Sequence, residues 1–159
     1  MANVAFLKIE GVTQGLITSG CNTQDSLGNK HQSQHSDEIM VLSCSHNINA
    51  GAGTIHDPLV ITKNIDKASP LLAIALNKAE HLNCVIDFYR TNSAGGNEKF
   101  YTIELLQAKI VNTSFYMPHT INQNNDEMEE EIAFTYKDIK WLHHTAGTSG
   151  YALWKEESS

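Results

Sequence analysis

Basic residues are scarce in this sequence. Eleven Lys and Arg stand against 18 Asp and Glu in 159 residues, for a formal net charge of −7, and they are scattered instead of gathered into the stripe a nucleic-acid binder shows. Nucleic acid is therefore excluded as a partner. Long apolar runs are also missing: the longest candidate, Leu71 to Leu76, falls far short of the roughly 18 to 20 residues that cross a bilayer as a helix. No direct membrane insertion is expected. The opening Met1-Ala2-Asn3-Val4 lacks a basic region followed by an apolar stretch and a small-residue cleavage site. The expectation is synthesis in the cytoplasm and, if the protein leaves the cell, export without a cleaved signal peptide. Cys21, Cys44 and Cys84 are odd in number and widely separated, without Cys-x-x-Cys spacing, so they form neither a disulfide framework nor a zinc ribbon. They read as buried or incidental thiols.

Signatures of chemistry are thin as well. No Gly-x-Ser-x-Gly elbow occurs; Ser149, with Gly147 two before it and Gly150 one after, belongs to a flexible tail and not to a strained nucleophile turn. Gly51-Ala52-Gly53-Thr54 lacks the Lys of a phosphate-binding loop and leads to Pro58 instead of a helix. Of eight histidines, His143 and His144 are adjacent and would point to opposite faces of a strand, while His31 and His35 have no Cys or second His at zinc-site spacing. No catalytic residue, metal ligand or cofactor site is assigned. The acidic cluster Asp126, Glu127, Glu129, Glu130 and Glu131 reads as a solvated strand entrance that discourages wrong edge pairing, in preference to a calcium site.

What is present is β pattern. The chain is 41% hydrophobic and long enough for one domain to bury a core without disulfides or metals. Ala5, Leu7 and Ile9 alternate with Phe6, Lys8 and Glu10, the period of a strand. The polar stretch Thr13 to Ser36, punctuated by glycine, reads as a long loop with little core, of a length that usually binds something. Met40, Leu42, Cys44 and Ile48 share one face of a second strand, with His46 on the same side as a hydrogen-bonded core or rim histidine. A flexible stretch, Asn49 to Thr54, precedes a third strand carrying Leu59, Ile61 and Ile65, with Pro58 at its start. Ser69-Pro70 opens the one helix, Ser as cap and Pro where no N–H is needed. That helix is apolar around its circumference from Leu71 to Leu76, so burial on more than one side is expected, a second molecule being one way to cover the excess. Cys84, Ile86 and Phe88 then form a hairpin through Ser93 to Asn97. Phase switches at Leu105/Leu106 and between Tyr136 and Ile139 suit strands bending around a small barrel.

Several segments stand in a telling order: Phe6-Leu7-Lys8-Ile9-Glu10-Gly11, Thr13 through Thr18, His35 through Val41, Ile61-Thr62-Lys63, Asp66-Lys67-Ala68-Ser69-Pro70-Leu71-Leu72, Tyr89-Arg90-Thr91 and Tyr116-Met117-Pro118. Phe134-Thr135-Tyr136, Ile139-Lys140-Trp141 and Ala146 through Gly150 ahead of Trp154 follow almost to the end. Taken together they resemble the Hcp family, the haemolysin-coregulated proteins that form the inner tube of the bacterial type VI secretion system. The Asp66 to Leu72 piece is the most specific, and the order across nearly the whole chain carries the case. The resemblance implies a mainly β fold, a small β-barrel of two antiparallel sheets with one flanking α-helix. It implies a homohexamer whose rings stack into a tube, small effector proteins in the lumen, a spike protein at the tip and a contractile sheath outside. Residues 1–142 are expected to form the barrel domain and 143–159 a short C-terminal tail, too short for a fused toxin domain. Subunit or ring contacts are assigned to Leu27, Gly28, Asn29, Lys30 and His31, to Asn49, Ala50, Gly51, Ala52 and Gly53, and to Leu72 and Leu76. Related chains usually carry a longer Gly- and Pro-rich extension where this one has only Asn49 to His56.

Two other readings compete. A monomeric β-barrel hydrolase would use a Ser and His pair converging in space. A monomeric carbohydrate-binding β-sandwich would need exposed aromatic platforms, and only two Trp are available.

Overall fold

The computed structural model describes residues 3–155; Met1 and Ala2 of the leader reading and residues 156–159 of the expected tail lie outside them. Eleven strands and few helical segments follow one another: β1 (Val4–Gly11), β2 (Gly15–Leu16), α1 (Gln24–Leu27), β3 (Ile39–Ser45), β4 (Ile48–Ala50), β5 (Thr54–His56), β6 (Leu59–Asn64), α2 (Ser69–Asn77), β7 (Leu82–Thr91), β8 (Asn97–Tyr116), β9 (Glu129–Thr135), β10 (Asp138–His143) and β11 (Thr148–Leu153). The fold is mainly β, as the alternation in the sequence implies, with β4 and β5 forming a separate two-stranded sheet.

Closure of the barrel depends on β8, which is 20 residues long. Its first part pairs with β7 on one edge and β10 on the other; its last part, Lys109 to Tyr116, pairs with β9. The break falls where the phase switch in the sequence places it. Ile103 and Leu105 point inward on one parity and Ala108 and Ile110 on the other, with Gln107 in the left-handed region at φ 48°. Because β9 pairs onward to β6, β6 to β3, β3 to β1 and β1 to β7, the antiparallel ladder returns to β8 and leaves no open edge in that circuit. Strands β10 and β11 continue outward from β8.

The interior is filled by inward residues of every barrel strand, among them Leu7, Ile9, Ile39, Leu59, Ile61, Ile86, Leu105, Ile132 and Phe134, together with Leu72 and Ala75 from α2. Helix α2 closes against the barrel by that single face. Leu71 and Leu76 are half-buried, and Pro70, Ala73 and Ile74 are exposed, so burial on more than one side is not met within one chain.

Five expectations are corrected here. The Thr13 to Ser36 stretch does reach the core: Ile17 and Cys21 are buried, because the Thr18 hydroxyl accepts from the Ile9 N–H and draws the loop onto β1. It also holds the short helix α1 and two 3₁₀ turns. In β3 the inward residues are Ile39 and Val41, not Met40 and Leu42; a bulge between Val41 and Ser43 then flips the strand so that Cys44 packs inward. The expected flexible stretch from Asn49 is an antiparallel hairpin, registered Ile48↔His56, Asn49↔Ile55 and Ala50↔Thr54. The segment assigned to a tail is, over Thr148–Leu153, an edge strand paired with β10, and Ala152 and Trp154 pack on the core. Ser69 does not cap α2: it is the first helical residue, its hydroxyl accepts from the Asp66 N–H, and the Asp66 carboxylate receives the Ala68 N–H instead.

Candidate assembly surfaces and polar clusters

The motif Ile61-Thr62-Lys63 and the Asp66 to Leu72 run meet at one buried charge. The Lys63 side chain has no exposed surface, and its ammonium group donates to Glu130 Oε1 at 2.6 Å, to Asp66 Oδ1 at 2.9 Å and to Ser69 Oγ at 3.0 Å. Three acceptors for three N–H bonds complete the ammonium's demand. Strand register brings Lys63 opposite Glu130, and the turn after β6 brings Asp66 and Ser69 back over it. Glu130 is thus buried and paired, which corrects its reading as part of a solvated strand entrance. Burial pushes the Asp66 carboxyl up, and the charge and hydrogen bond of Lys63 pull it back. The cluster fastens the start of α2 to β6 and β9.

A second clamp explains Glu10-Gly11 and Thr13-Gln14. The buried Glu80, just after α2, accepts the backbone N–H of Thr13 at 3.0 Å and of Gln14 at 2.9 Å on Oε2, and the Gln14 side-chain amide at 3.0 Å on Oε1. Any Cβ on Gly11 would collide with the Glu80 carboxylate. Burial pushes Glu80 up, but the donors from Gln14 and Thr13 outweigh it and hold the carboxyl below its ordinary value.

The residues expected at subunit or ring contacts fall in three places. Gly28, Asn29, Lys30 and His31 are exposed and Leu27 half-buried, at the barrel end where β6 finishes: Lys30 Nζ pairs with Glu127 at 2.8 Å, and Ser26 Oγ accepts the Lys67 N–H at 2.7 Å. Asn49, Ala50, Gly51, Ala52 and Gly53 are exposed at the opposite end, where β3 finishes and β6 begins. On α2, Leu72 is wholly buried and offers a neighbour no surface, and Leu76 is half-buried; the open side of the helix is Pro70, Ala73 and Ile74. Reading the sequence missed the exposed apolar residues Val111, Phe115, Tyr116, Met117 and Ile121 on the last part of β8 and the loop after it, with Phe115 at 63% exposure. Residue parity could not have found them, because a register shift between Ile110 and Asn112 changes the phase of the strand between Val111 and Phe115. A cleft of about 440 Å³ between Lys30, Met40, Leu42, Asn64, Tyr116 and Asp126 lies beside these residues.

One constellation looks catalytic at first sight. Thr102 Oγ1 lies 2.7 Å from Asp87 Oδ1 and 2.7 Å from His144 Nε2. The order of groups is wrong for an activated nucleophile, which needs the imidazole between hydroxyl and carboxylate. Here the carboxylate takes the hydroxyl proton directly, so His144 Nε2 is left to donate and does not act as a base. Thr102 is also buried. Among the described residues no group of three or more His, Cys, Asp or Glu is arranged to hold a metal ion. The thiols are poor nucleophiles: burial pushes Cys21 up to about 12, with Asp66 adding to the effect, and Cys44 up to about 11.

Fold and clusters together define a structural β-barrel, whose buried polar groups hold elements in place and whose distinctive surfaces are apolar and projecting. The comparisons give that class a family. The model described as "Type VI secretion system effector, Hcp" matches residues 6–143. The "Major exported protein" of Pseudomonas aeruginosa is 42% identical over 167 aligned residues, covering 98% of this chain and 97% of that protein. A "Crystal structure of Hcp protein" superposes with a TM-score of 0.91 at 38% identity, and the "Secreted protein Hcp3 from Pseudomonas aeruginosa" with 0.88 at 42%, each over 98% of this chain and 100% of the other. The "Uncharacterized protein YhhZ" of Escherichia coli is 38% identical over 93% of this chain, which spans 37% of that longer protein. The chain belongs to the Hcp family of type VI secretion proteins.

Proposed function

We propose that this protein is a structural subunit of a type VI secretion tube. Six copies close into a ring, rings stack, and the tube carries small effector proteins in its lumen, with a spike protein at the tip and a contractile sheath outside. The protein is exported from the bacterial cytoplasm.

The observation that carries this reading is the opposed placement of two surfaces on a family-typical barrel. The β4–β5 hairpin stands off one end, and the Leu27–His31 turn with the Lys30–Asp126 cleft occupies the other. Surfaces that differ at the two ends suit a head-to-tail contact, which propagates along an axis, whereas a two-fold contact would pair like with like. Ring closure is assigned to exposed apolar residues that a solitary chain would leave in water, those on the open side of α2 and Phe115 with its neighbours where β8 ends. The hydrolase reading loses its best candidate in Thr102, and no observation favours the carbohydrate reading.

Sedimentation velocity of the purified protein with electron microscopy of the same sample tests the proposal. A six-subunit mass and annular particles with an open centre are expected. A monomer mass at every concentration and buffer, with no annuli, would overturn it.

A further inference from the structure

The β4–β5 hairpin makes no ladder bonds with the barrel; it is a sheet of its own. Among the described residues, both side-chain hydrogen bonds from the segment 46–57 to the barrel go to one atom, the Tyr136 hydroxyl. His46 Nε2 lies 2.8 Å from it and His56 Nδ1 2.6 Å. These two histidines flank the hairpin, one on each chain at its base, where Asp57 N–H also donates to Asn47 O and Asn47 Nδ2 to Asp57 Oδ2. Trp154 packs edge-on against Tyr136, centroids 4.8 Å apart, and tilted over His56. Tyr136 and His56 are buried.

A hydroxyl has one proton to give, so two histidines cannot both receive it. With both rings neutral, one histidine accepts the Tyr136 proton and the other donates to the Tyr136 oxygen, and the ring tautomers set which is which. Where His56 Nδ1 carries the hydrogen, His46 Nε2 is the acceptor, and a proton added there leaves the Tyr136 proton with neither histidine to accept it. The new cation would also stand beside His56.

We propose that His56 Nδ1 carries the hydrogen it gives to Tyr136 and that the shared hydroxyl is thereby a proton-operated latch: uptake of a proton at His46 in mild acid leaves the Tyr136 proton without an acceptor, breaks the His46 bond and frees the β4–β5 hairpin from the barrel end. Burial lowers the His46 affinity for a proton, and His56 lowers it further, whereas Asp57 works in the opposite direction. A histidine depressed in the docked state contributes docking stability that is fully present above its free value of about 6.5 and is lost as pH falls through its docked value. Asp57 is the one carboxylate acting on His46, and it acts on Tyr136 as well; Trp154 brings no charge, and Lys137 and Lys155, next in sequence to Tyr136 and Trp154, are exposed. Any loosening of ring stacks by acid rests on the tube reading above; the latch itself belongs to the single chain.

Hydrogen exchange of the full chain from pH 7.5 to pH 5, corrected for intrinsic rates, tests it, with histidine ring NMR and sedimentation on the same samples. Protection of the 48–56 amides should fall by up to about tenfold per pH unit as His46 titrates, while β1 and β7 amides keep theirs. His46→Gln should remove that pH dependence at unchanged ring mass, and Tyr136→Phe should leave the hairpin unprotected at every pH. Should either variant fail to fold, the wild-type titration decides alone. Hairpin protection that stays constant while His46 titrates overturns the latch, as does a His46→Gln protein that keeps the full pH dependence. A monomeric protein whose hairpin still loosens in step with His46 would support the latch and sink only the tube reading.

Discussion

Replacing Lys63 by Met keeps the length of the side chain and removes its charge, which leaves the carboxylates of Glu130 and Asp66 buried without a partner. Breaking a buried pair in this way costs about 3–5 kcal/mol, far more than a surface pair is worth. Urea unfolding at pH 7 should register that loss. The loss should shrink on acidification. With Lys63 gone, the Ala68 N–H is left to oppose the upward push of burial on Asp66, and a carboxyl raised in the folded state gives stability that is complete below its unfolded value, about 3.9, and lost as pH rises. Glu80 has the opposite sign. Its carboxyl is depressed in the folded state, so its contribution is present above about 4.3 and lost as pH falls through the folded value. Glu80→Ala strands the N–H groups of Thr13 and Gln14 and should cost about 2–3 kcal/mol at pH 7 while weakening the acid limb of the stability curve. Gly11→Ala should reproduce most of that loss with Glu80 still present, because the new methyl takes the space of its carboxylate.

At the scale of the element, α2 offers a contrast within one helix. Leu72→Glu puts an unpaired carboxylate into the buried core that Leu72 shares with the barrel strands, and loss of the cooperative unfolding transition is expected in thermal or urea melts. Ile74→Glu, two residues on and 42% exposed, should leave stability within about 0.5 kcal/mol and lower the ring mass in sedimentation if the open side of the helix makes ring contacts. Unchanged mass for a folded Ile74→Glu protein removes α2 from the interface. The sequence alone could not separate these two residues, since a helix apolar all round has no pattern that says which stripe faces inward; the contact with β8 decides it. Strands were easier. Alternation in β1, β7 and β9 and the phase switch at Leu105/Leu106 are carried by residue order, so they were legible. In β3 the bulge at Val41/Ser43 shifts parity within a strand of seven residues, and a short window cannot distinguish the two phases. The Thr13 to Ser36 loop was misjudged for a different reason. Ile17 is held on β1 by its N–H to the Ile9 carbonyl, Thr18 by the Ile9 N–H, and the start of the loop by Glu80, and bonds between separate elements leave no local period.

On the scale of the whole molecule, charge works against assembly. Each chain carries a formal −7, so the six copies of the proposed ring would gather a charge on the order of −40 within one particle. The attraction that must overcome this repulsion is assigned to apolar surface, chiefly Phe115, Tyr116, Met117 and Ile74, and burying apolar surface is worth roughly 25 cal/mol per Å² with little dependence on salt. Repulsion between exposed charges does depend on salt, since the screening length falls from about 30 Å at 0.01 M to about 8 Å at 0.15 M. Added salt should therefore shift the balance toward rings, and the shift should be steepest between those two concentrations. The exposed ion pair at the end assigned to stacking, Lys30 with Glu127, is made within the chain and is not a bridge that salt would break between chains. Sedimentation at fixed protein concentration across a salt series reads the outcome directly. Ring mass that rises with salt and then levels off fits contacts that are apolar and opposed by net charge; ring mass that falls would mean that the subunits are held by ion pairs across the interface, and the Phe115 surface would lose its assigned role.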